Sequence, residues 1–588
     1  MRIIVDFETS YIERAKPPHG LRHQTVPEYL HDERTQCKGA AVWVDGLAHY
    51  VTPEKLDDVL EKLAWLVGKG AVLSAHNATF DLSVWARWHP ESYDQLIKVL
   101  RKYPLRLVDT EHLARYLSAQ GMLPSHVRTS VASLGEFFGL EKGDTVAALE
   151  AGGQVLADYA TRDAEIQAKV LDMADQWPDK ENALSTLHVL CGLPRHEALR
   201  VDAALLKPLT IETPQARELK KKLRQDAVMV QALERLGVVP EYKTTKTGRQ
   251  KLALSKTDDW AKALLKHDSP QVRRLIEARL GAASNIERTR AQTFLTSSDN
   301  GKRALPLPLR YYAAHTGRSG GSDKMNVQNL PRGGLHRRAL MAPEGYKLVA
   351  CDASQIEVRV LAWLADDRVT LEVFEHGGDP YKAFAVDLYG LDNEDAVTKD
   401  QRQVAKSAVL GLGFGAGAGG FLNYCKIMGV EIEENEARRV VHAYRRARPA
   451  VPAYWQQIEH SVRSSGQHVL PSGRVMVYPE MTRDTFTRPV PFQKTKGEVS
   501  KLWHGLLTEN AVQAAARDIT LAEHAVEIGS RWPVVLMVHD EIVCCVPQDQ
   551  AQECLHDMMQ VMSTAPSWAS SLPLAAEGDI GDRYGELK

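Results

Sequence analysis

The stretch Val534–Val546, VVLMVHDEIVCCV, decides how the rest of the chain reads. Its flanks are apolar and suit two buried strands, yet His539, Asp540 and Glu541 stand in the middle. Burying one unpaired carboxylate costs several kcal/mol, and two in succession cost more. A tight hairpin would put His539 and Asp540 at its bend, and a bound cation would offset the charge. This reading asks for a second carboxylate, at another strand end, to share that cation.

YKLVACDASQIEVRVLAWLADD supplies one. The pattern predicts a strand ending at Asp352 and a helix starting near Gln355. Two strands of one sheet can then present Asp352 and Asp540 to the same pair of Mg²⁺ ions, which favour oxygen ligands and keep phosphate oxygens in their shell. Such ions activate a hydroxyl and offset charge developing on a phosphate. Between these strands, KDQRQVAKSAVLGLGFGAGAGGF spaces Arg402, Lys406, Leu410 and Phe414 four residues apart. On a helix they form one slowly drifting stripe, two cations followed by two apolar groups, suited to the phosphates and base of a nucleotide. The glycines from Gly411 to Gly420 are expected to end that helix. They are no Walker loop, because G-x-x-x-x-G-K-[ST] is missing.

The first third carries four more carboxylates. Ile3–Phe7 reads as a strand with Asp6 and Glu8 on one face. A lone D-x-E is more often a solvated strand end. Here AVLSAHNATFDLSVWARW follows, predicting strand, turn and helix with Asp81 in the first helical turn. DYATRDAEIQAKVL predicts a helix with Tyr159 and Asp163 on one face. Asp6, Glu8, Asp81 and Asp163 are the acid set that two divalent metals use in phosphodiester hydrolysis, and Tyr159 can orient the attacking water.

The middle of the chain is helical and basic. ARELKKKLRQDAVMVQALERLG spaces Leu219, Leu223, Val228 and Leu233 as one helix would. Lys243, Lys246, Arg249 and Lys251 then alternate with threonines and a glycine, a composition suited to a phosphate chain. A helical arm with a basic tip is expected.

Length and composition agree with a large soluble protein. A chain of 588 residues predicts roughly three or four domains of about 150 residues. A net charge of −2 means that any nucleic-acid surface is local. The seven cysteines contain no C-x-x-C pair, which excludes a zinc ribbon or redox dithiol and fits reduced cytosolic thiols. Cys544 and Cys545 are expected as packing groups. Asp6 and Glu8 interrupt any signal peptide, and no run approaches ~18 apolar residues. A cytoplasmic protein with no membrane segment is expected.

DFET, N-A-T-F-D (Asn77–Asp81) and Y-A-T-R-D (Tyr159–Asp163) resemble, in order and spacing, the DEDD 3′→5′ exonucleases with tyrosine before the last aspartate. That resemblance implies a ribonuclease-H-like fold for about residues 1–185. HTGRSGGSDKMNVQNLP, CDASQIEVR, RQVAKSAVLGLGFG and VHDEIV resemble family A DNA polymerases, the group of bacterial DNA polymerase I, its Klenow fragment and many bacteriophage replicases. TTKTGRQKLALS resembles their thumb tip.

Together the resemblances imply an α/β and α+β multidomain chain. A right-hand polymerase domain is expected over 186–588, with thumb about 200–305, palm about 306–370 and 510–588, and fingers about 371–509. Carried over residue by residue, Asp352 and Asp540 hold two Mg²⁺ ions, Mn²⁺ being a substitute, and Glu541 supports them. Arg402 and Lys406 grip the incoming triphosphate near Gln355 and Tyr381, and Glu357 excludes a ribose 2′-hydroxyl. Arg318, Gln328, Asn329, Gln513 and His539 contact primer or template. The implied partners are primer-template DNA and deoxynucleoside triphosphates, acting on a monomer with proofreading, in phage replication.

The chain departs from that family at Leu410 (usually Phe or Tyr), Phe414 (usually Tyr), Val409 (often Asn) and Tyr381 (often His). Without a hydroxyl at Leu410, discrimination against dideoxynucleotides is expected, and mixed-triphosphate primer extension tests it. The compact thumb and the start at the exonuclease, with no 5′-nuclease ahead of it, look most like a phage replicative enzyme. A single-subunit RNA polymerase would share the two palm aspartates, but Glu357 and the four exonuclease acids weigh against it. A non-catalytic DNA-binding descendant would have no need of the six carboxylates.

Overall fold

A computed structural model describes residues 1–10, 18–212, 214–245, 248–255, 258–283, 285–489 and 499–587. The chain opens with a five-stranded sheet: β1 (Arg2–Thr9), β2 (Cys37–Val44), β3 (Leu47–Val51), β4 (Val72–Ala75) and β5 (Leu107–Asp109), in the order β3-β2-β1-β4-β5. β1 runs antiparallel to β2 and parallel to β4. Ile3, Ile4 and Val5 are all buried because helices cover both faces. Ile3, Val5 and Phe7 pack with the helices Leu56–Gly68 and Ala78–Trp88. Ile4 turns to the other face, against the helix Gly153–Leu171. Side chains alternate along a strand, so Asp6 and Glu8 join Ile4 on the Gly153–Leu171 side.

The helix Asp179–Cys191 runs through the expected boundary at 185/186. Its side chains reach both halves. Thr186 Oγ1 donates to the Pro104 carbonyl at 2.8 Å. Glu181 accepts from Arg517 Nη2 at 2.7 Å and from the Tyr311 hydroxyl at 2.5 Å. The boundary falls within an element that both units bury.

The basic arm follows, with its own small core of Met229, Leu233, Leu252, Val272 and Ile276. The single helix expected over ARELKKKLRQDAVMVQALERLG is two helices, Pro214–Leu223 and Asp226–Arg235. The break has a local cause. Arg279 donates to the Leu223 carbonyl and pairs with Asp226 at 2.7 Å, and Arg224 Nε donates to the Ala282 carbonyl at 2.7 Å. Leu219 is consequently exposed, and Met229 fills the core in place of Val228. The tip is a short hairpin, Tyr242–Thr244 with Gln250–Leu252.

The second sheet lies in the order Val534–Val538, Glu541–Pro547, Tyr346–Ala353, Ala576–Gly581, each strand antiparallel to its neighbour. A helical layer over residues 368–465 includes Lys399–Leu412 and buries Phe384, Ala405, Phe421 and Tyr444 together. All seven cysteines are free, and Cys544 and Cys545 are buried in the second sheet. Among the described residues, no helix is long and apolar enough to cross a membrane.

Candidate active site

Only His539 and Asp540 separate the two strands of the hairpin, where Val538 pairs with Glu541. His539 accepts a left-handed φ of 53° to make the bend. The neighbouring strand sets Asp352 opposite Glu541, and the Ala353 N–H donates to the Asp540 carbonyl at 3.1 Å. Both aspartates therefore sit at one end of one sheet. Burial pushes Asp352 up to about 6, Glu541 adding to the effect and Arg332 opposing it. Burial likewise pushes Asp540 up to about 6, with Arg318 opposing and Glu357 and Asp352 adding. Asp540 Oδ1 is buried without a hydrogen-bond partner. The Arg318 Nη2 atom lies 3.7 Å from it and donates to Glu357 Oε1 at 2.9 Å.

Glu541 is engaged by two residues that the sequence did not single out. Arg337 Nη2 donates to Glu541 Oε2 at 3.2 Å and the Tyr584 hydroxyl donates to Oε1. The Arg337 guanidinium also lies 3.9 Å from the Tyr584 ring centre. Arg337 sits in the short basic run His336–Arg338 and Tyr584 stands alone near the C-terminus, and neither position announces a carboxylate partner.

The other expected contacts surround this point. Gln355 caps the helix Ile356–Ala365 in a left-handed conformation with φ 54°, and Glu357 lies in its first turn. Burial lowers the His539 pKa, with Arg318 adding to the shift and Glu357 and the Gln328 backbone opposing it. Asn329 is exposed in the same turn as Gln328. Gln513, on the helix His504–Arg517, donates to Glu509 at 3.1 Å.

On the helix Lys399–Leu412, Arg402 Nε donates to Asp379 Oδ2 at 2.7 Å. Arg402 and Lys406 lie 5.3 Å and 5.9 Å from the Tyr381 ring centre. Phe414 falls beyond the helix, which stops at Leu412, so the expected four-residue stripe loses its last member. The chain turns at Gly415, with φ 78°, and Trp455 Nε1 takes the freed Gly413 carbonyl at 2.9 Å. This end of the helix is pressed against the second sheet's helix: a Cβ on Gly413 would lie 2.5 Å from Leu361 Cδ2. At a rise of about 1.5 Å per residue, Lys406 stands about 6 Å and Arg402 about 12 Å further along the axis from Leu410.

At the arm tip, Lys243 is committed to Asp258 at 2.6 Å, and Arg249 is exposed. Lys246 lies outside the described residues.

The N-terminal acids form a second centre. The Phe7 N–H donates to Asp81 Oδ1 at 2.9 Å, drawing the Ala78–Trp88 helix onto β1. Burial raises Asp6 to about 7, with Asp163 adding and Lys142 opposing. Glu8 rises to about 9, through burial first and then Asp6 and Asp163, with Lys142 opposing. Asp81 and Asp163 are raised by burial, and Asp6 adds at Asp81 while Lys142 opposes at Asp163. The Tyr159 hydroxyl shares a 2.8 Å hydrogen bond with Thr145. Lys142, which the sequence did not mark, donates to Asp163 Oδ2 at 2.5 Å and lies 5.2 Å from the Tyr159 ring centre. It is a single lysine in a loop without periodicity.

The donor chemistry at both centres fits a hard divalent cation. Only carboxylate oxygens are offered, and Asp81 Oδ2, Asp163 Oδ1 and Asp540 Oδ1 are buried with no hydrogen-bond partner. Yet among the described residues no three His, Cys, Asp or Glu side chains stand close enough to hold a metal ion between them. Among the described residues the four N-terminal acids thus interact electrostatically without closing a coordination group, and Lys142 opposes their charge. An ion at either centre would complete its shell with water or substrate oxygens.

A family model described as DNA polymerase family A matches residues 217–586. The chain belongs to DNA polymerase family A. Among curated relatives of this family A chain, DNA polymerase I of Pseudomonas aeruginosa is 32% identical over 283 residues, 46% of this chain and 29% of that protein. The DNA polymerase of Bacillus phage SP02 is 29% identical over 367 residues, 52% of this chain and 55% of that protein. The family A chain therefore spans about a third to a half of the length of such relatives. In three dimensions it is similar to the POL domain of Pol1 from M. smegmatis, solved in complex with DNA primer-template and dNTP. The TM-score is 0.67 at 20% identity, covering 99% of this chain and 96% of the other, which establishes the mixed α/β polymerase fold.

Proposed function

We propose that this family A chain is a template-directed DNA polymerase that extends a primer 3′-end with deoxynucleotides, and that its first third is a 3′→5′ proofreading exonuclease. The observation that carries the first part is the meeting of Asp352 and Asp540 at one sheet end, beside the buried, unpartnered Asp540 Oδ1. Asp352 and Asp540 would hold the divalent cations, with Mg²⁺ the expected ion. When bound, those ions supply the Lewis-acid charge that eases loss of the primer hydroxyl proton and neutralises the triphosphate.

The chain's own residues do the rest. Arg402 leaves Asp379 to pair with the triphosphate, and Lys406 joins it from the next turn of the same helix. Leu410, and Phe414 past the helix end, offer apolar contact to the base. Glu357 stands where a 2′-hydroxyl would meet it, and Arg318, now bridging Glu357 towards Asp540, is released to the primer-template. His539, Gln328, Asn329 and Gln513 line the approach of the duplex, with Arg249 and Lys243 at the arm tip.

The exonuclease reading rests on Asp6, Glu8, Asp81 and Asp163, with Tyr159 above Asp163 on the same helix. A role in phage replication draws on the SP02 relative. Separation of function tests the whole assignment. Asp352→Ala should abolish Mg²⁺-dependent primer extension and leave digestion of single-stranded DNA intact; Asp6→Ala should do the reverse. Extension that survives Asp352→Ala would overturn the synthetic assignment, and digestion that survives Asp6→Ala would overturn the proofreading one.

A further inference from the structure

Between the N-terminal unit and the root of the arm lies a cavity of about 930 Å³, near the upper end of the about 300–1,000 Å³ that small-ligand sites occupy. One wall comes from the helices Val26–Leu30 and Ala78–Trp88, and the other from residues 297–310 and 321–324. None of Asp6, Glu8, Asp81, Asp163, Asp352 or Asp540 lines it. It is separate from both carboxylate centres.

Among the described residues the lining is strongly cationic, with seven Lys and Arg side chains against three carboxylates. Those carboxylates offset little of that charge. Glu111 is already paired with Arg115. Asp323 accepts the Val26 N–H at 2.8 Å, and burial pushes it up to about 7. Asp94 is an exposed member of the lining. Among the described residues, no carboxylate lies within ion-pair distance of Arg87, Arg200, Arg303 or Arg310.

Arg303 is the most exacting of these, because its Nε is buried without a hydrogen-bond partner. Burial holds it below the usual guanidinium range, Asp299 opposing and Arg87 adding to the shift. Arg310 is held down by burial and by the neighbouring charge of Arg115. Arg87 beside Arg303, and Arg115 beside Arg310, place like charges near one another with only Asp299 and Glu111 among the described residues opposing at a distance, an arrangement that a bidentate anion relieves. Leu30, Phe80, Tyr93 and Leu309 add apolar groups to a lining that also holds His31, Asn77, Ser83 and His112, and Phe80 is only half-buried. A ring face beside a phosphate-binding cluster suits a planar base joined to phosphates.

We propose that this cavity binds a nucleotide, its phosphates held by Arg87, Arg303 and Arg310 and its base set against Phe80 and Leu309. The phosphates would tie the first unit to the root of the arm, since Arg87 comes from one and Arg303 from the other. Asn77, which caps the helix Ala78–Trp88, and Thr79 and Phe80 in its first turn line the cavity just before Asp81, so an occupant presses on the element that carries a proposed exonuclease ligand.

The test uses the full chain with Arg402→Ala and Lys406→Ala, which removes the cations proposed for the polymerase-site nucleotide, in EDTA. Calorimetric titration with dATP should still show one site per chain. Adding Arg303→Ala, or Arg87→Ala as an independent variant, should weaken it by about tenfold or more at an unchanged unliganded melting temperature. Inorganic triphosphate should bind by about tenfold or more weakly than dATP, since it lacks a base. Absence of dATP binding, or binding indifferent to both arginine variants, would overturn the site. Equal affinity for triphosphate and dATP would overturn the nucleotide and leave only an anion hole.

Discussion

At the scale of single residues, Asp540 and Glu541 stand side by side and are treated differently. Glu541 is held by Arg337 and the Tyr584 hydroxyl, whereas Asp540 keeps a buried oxygen without a hydrogen bond, with Arg318 near it at 3.7 Å. The first arrangement fixes the hairpin; the second leaves an oxygen for an ion. Tyr584→Phe removes one hydroxyl and leaves a buried carboxylate oxygen unpaired, which should cost about 1–3 kcal/mol of stability. Thermal unfolding and extension kinetics read the effect together: both should fall, while digestion of single-stranded DNA stays unchanged. Unaltered melting and extension would mean that the hydroxyl does not hold Glu541. The sequence revealed Asp352, Asp540 and Glu541 because a carboxylate in an apolar run is conspicuous. Arg337, Tyr584 and Lys142 were not legible, because each matters only through a partner distant in the chain.

At the scale of elements, the helix Lys399–Leu412 and the Ile356–Ala365 helix meet where glycine allows it. A side chain at Gly413 would have no room against Leu361 Cδ2, 2.5 Å from the added Cβ. Gly413→Ala should therefore cost about 1–3 kcal/mol through overpacking. It should also raise KM for the incoming nucleotide, because Arg402 and Lys406 ride on the displaced helix. A melting curve and steady-state extension check both parts; an alanine accommodated with neither change would show that the two helices are not held in contact. Periodicity predicted this helix and its cationic face. It could not show that Phe414 lies past the end, since the stop depends on the Gly415 turn and on Trp455 from another helix. The arm helix breaks for the same kind of reason: Arg279, far along the chain, takes the carbonyl that would have continued it.

At the scale of the molecule, the helix Asp179–Cys191 joins the two halves through a buried Glu181–Arg517 pair, with Asp518 and Arg474 behind it. Burial alone would raise the Glu181 pKa, but the Arg517 charge and hydrogen bonds outweigh it and hold the carboxyl at about 2, below its ordinary 4.5. A folded pKa below the unfolded one gives stability that is complete above 4.5 and lost as pH falls from there towards 2. Urea unfolding should thus lose on the order of 3 kcal/mol across that window. Glu181→Gln should be destabilised already at pH 7 and flatter below 4.5. A wild-type midpoint as pH-insensitive as that of the variant would contradict the pairing. The two sheets were legible in the sequence, each from its own apolar runs. The shared helix was not, because its partners lie 336 positions apart.

The claim on which the polymerase reading turns is that Asp352 and Asp540 work on one bound ion set. Single-turnover primer extension by Asp352→Asn, Asp540→Asn and the double variant measures this most directly. Residues that act as a unit lose activity non-additively, so each single change should slow extension on the order of 10³-fold and the double change should be no slower than either. Losses that multiply, or a single variant that extends at the wild-type rate, would contradict it.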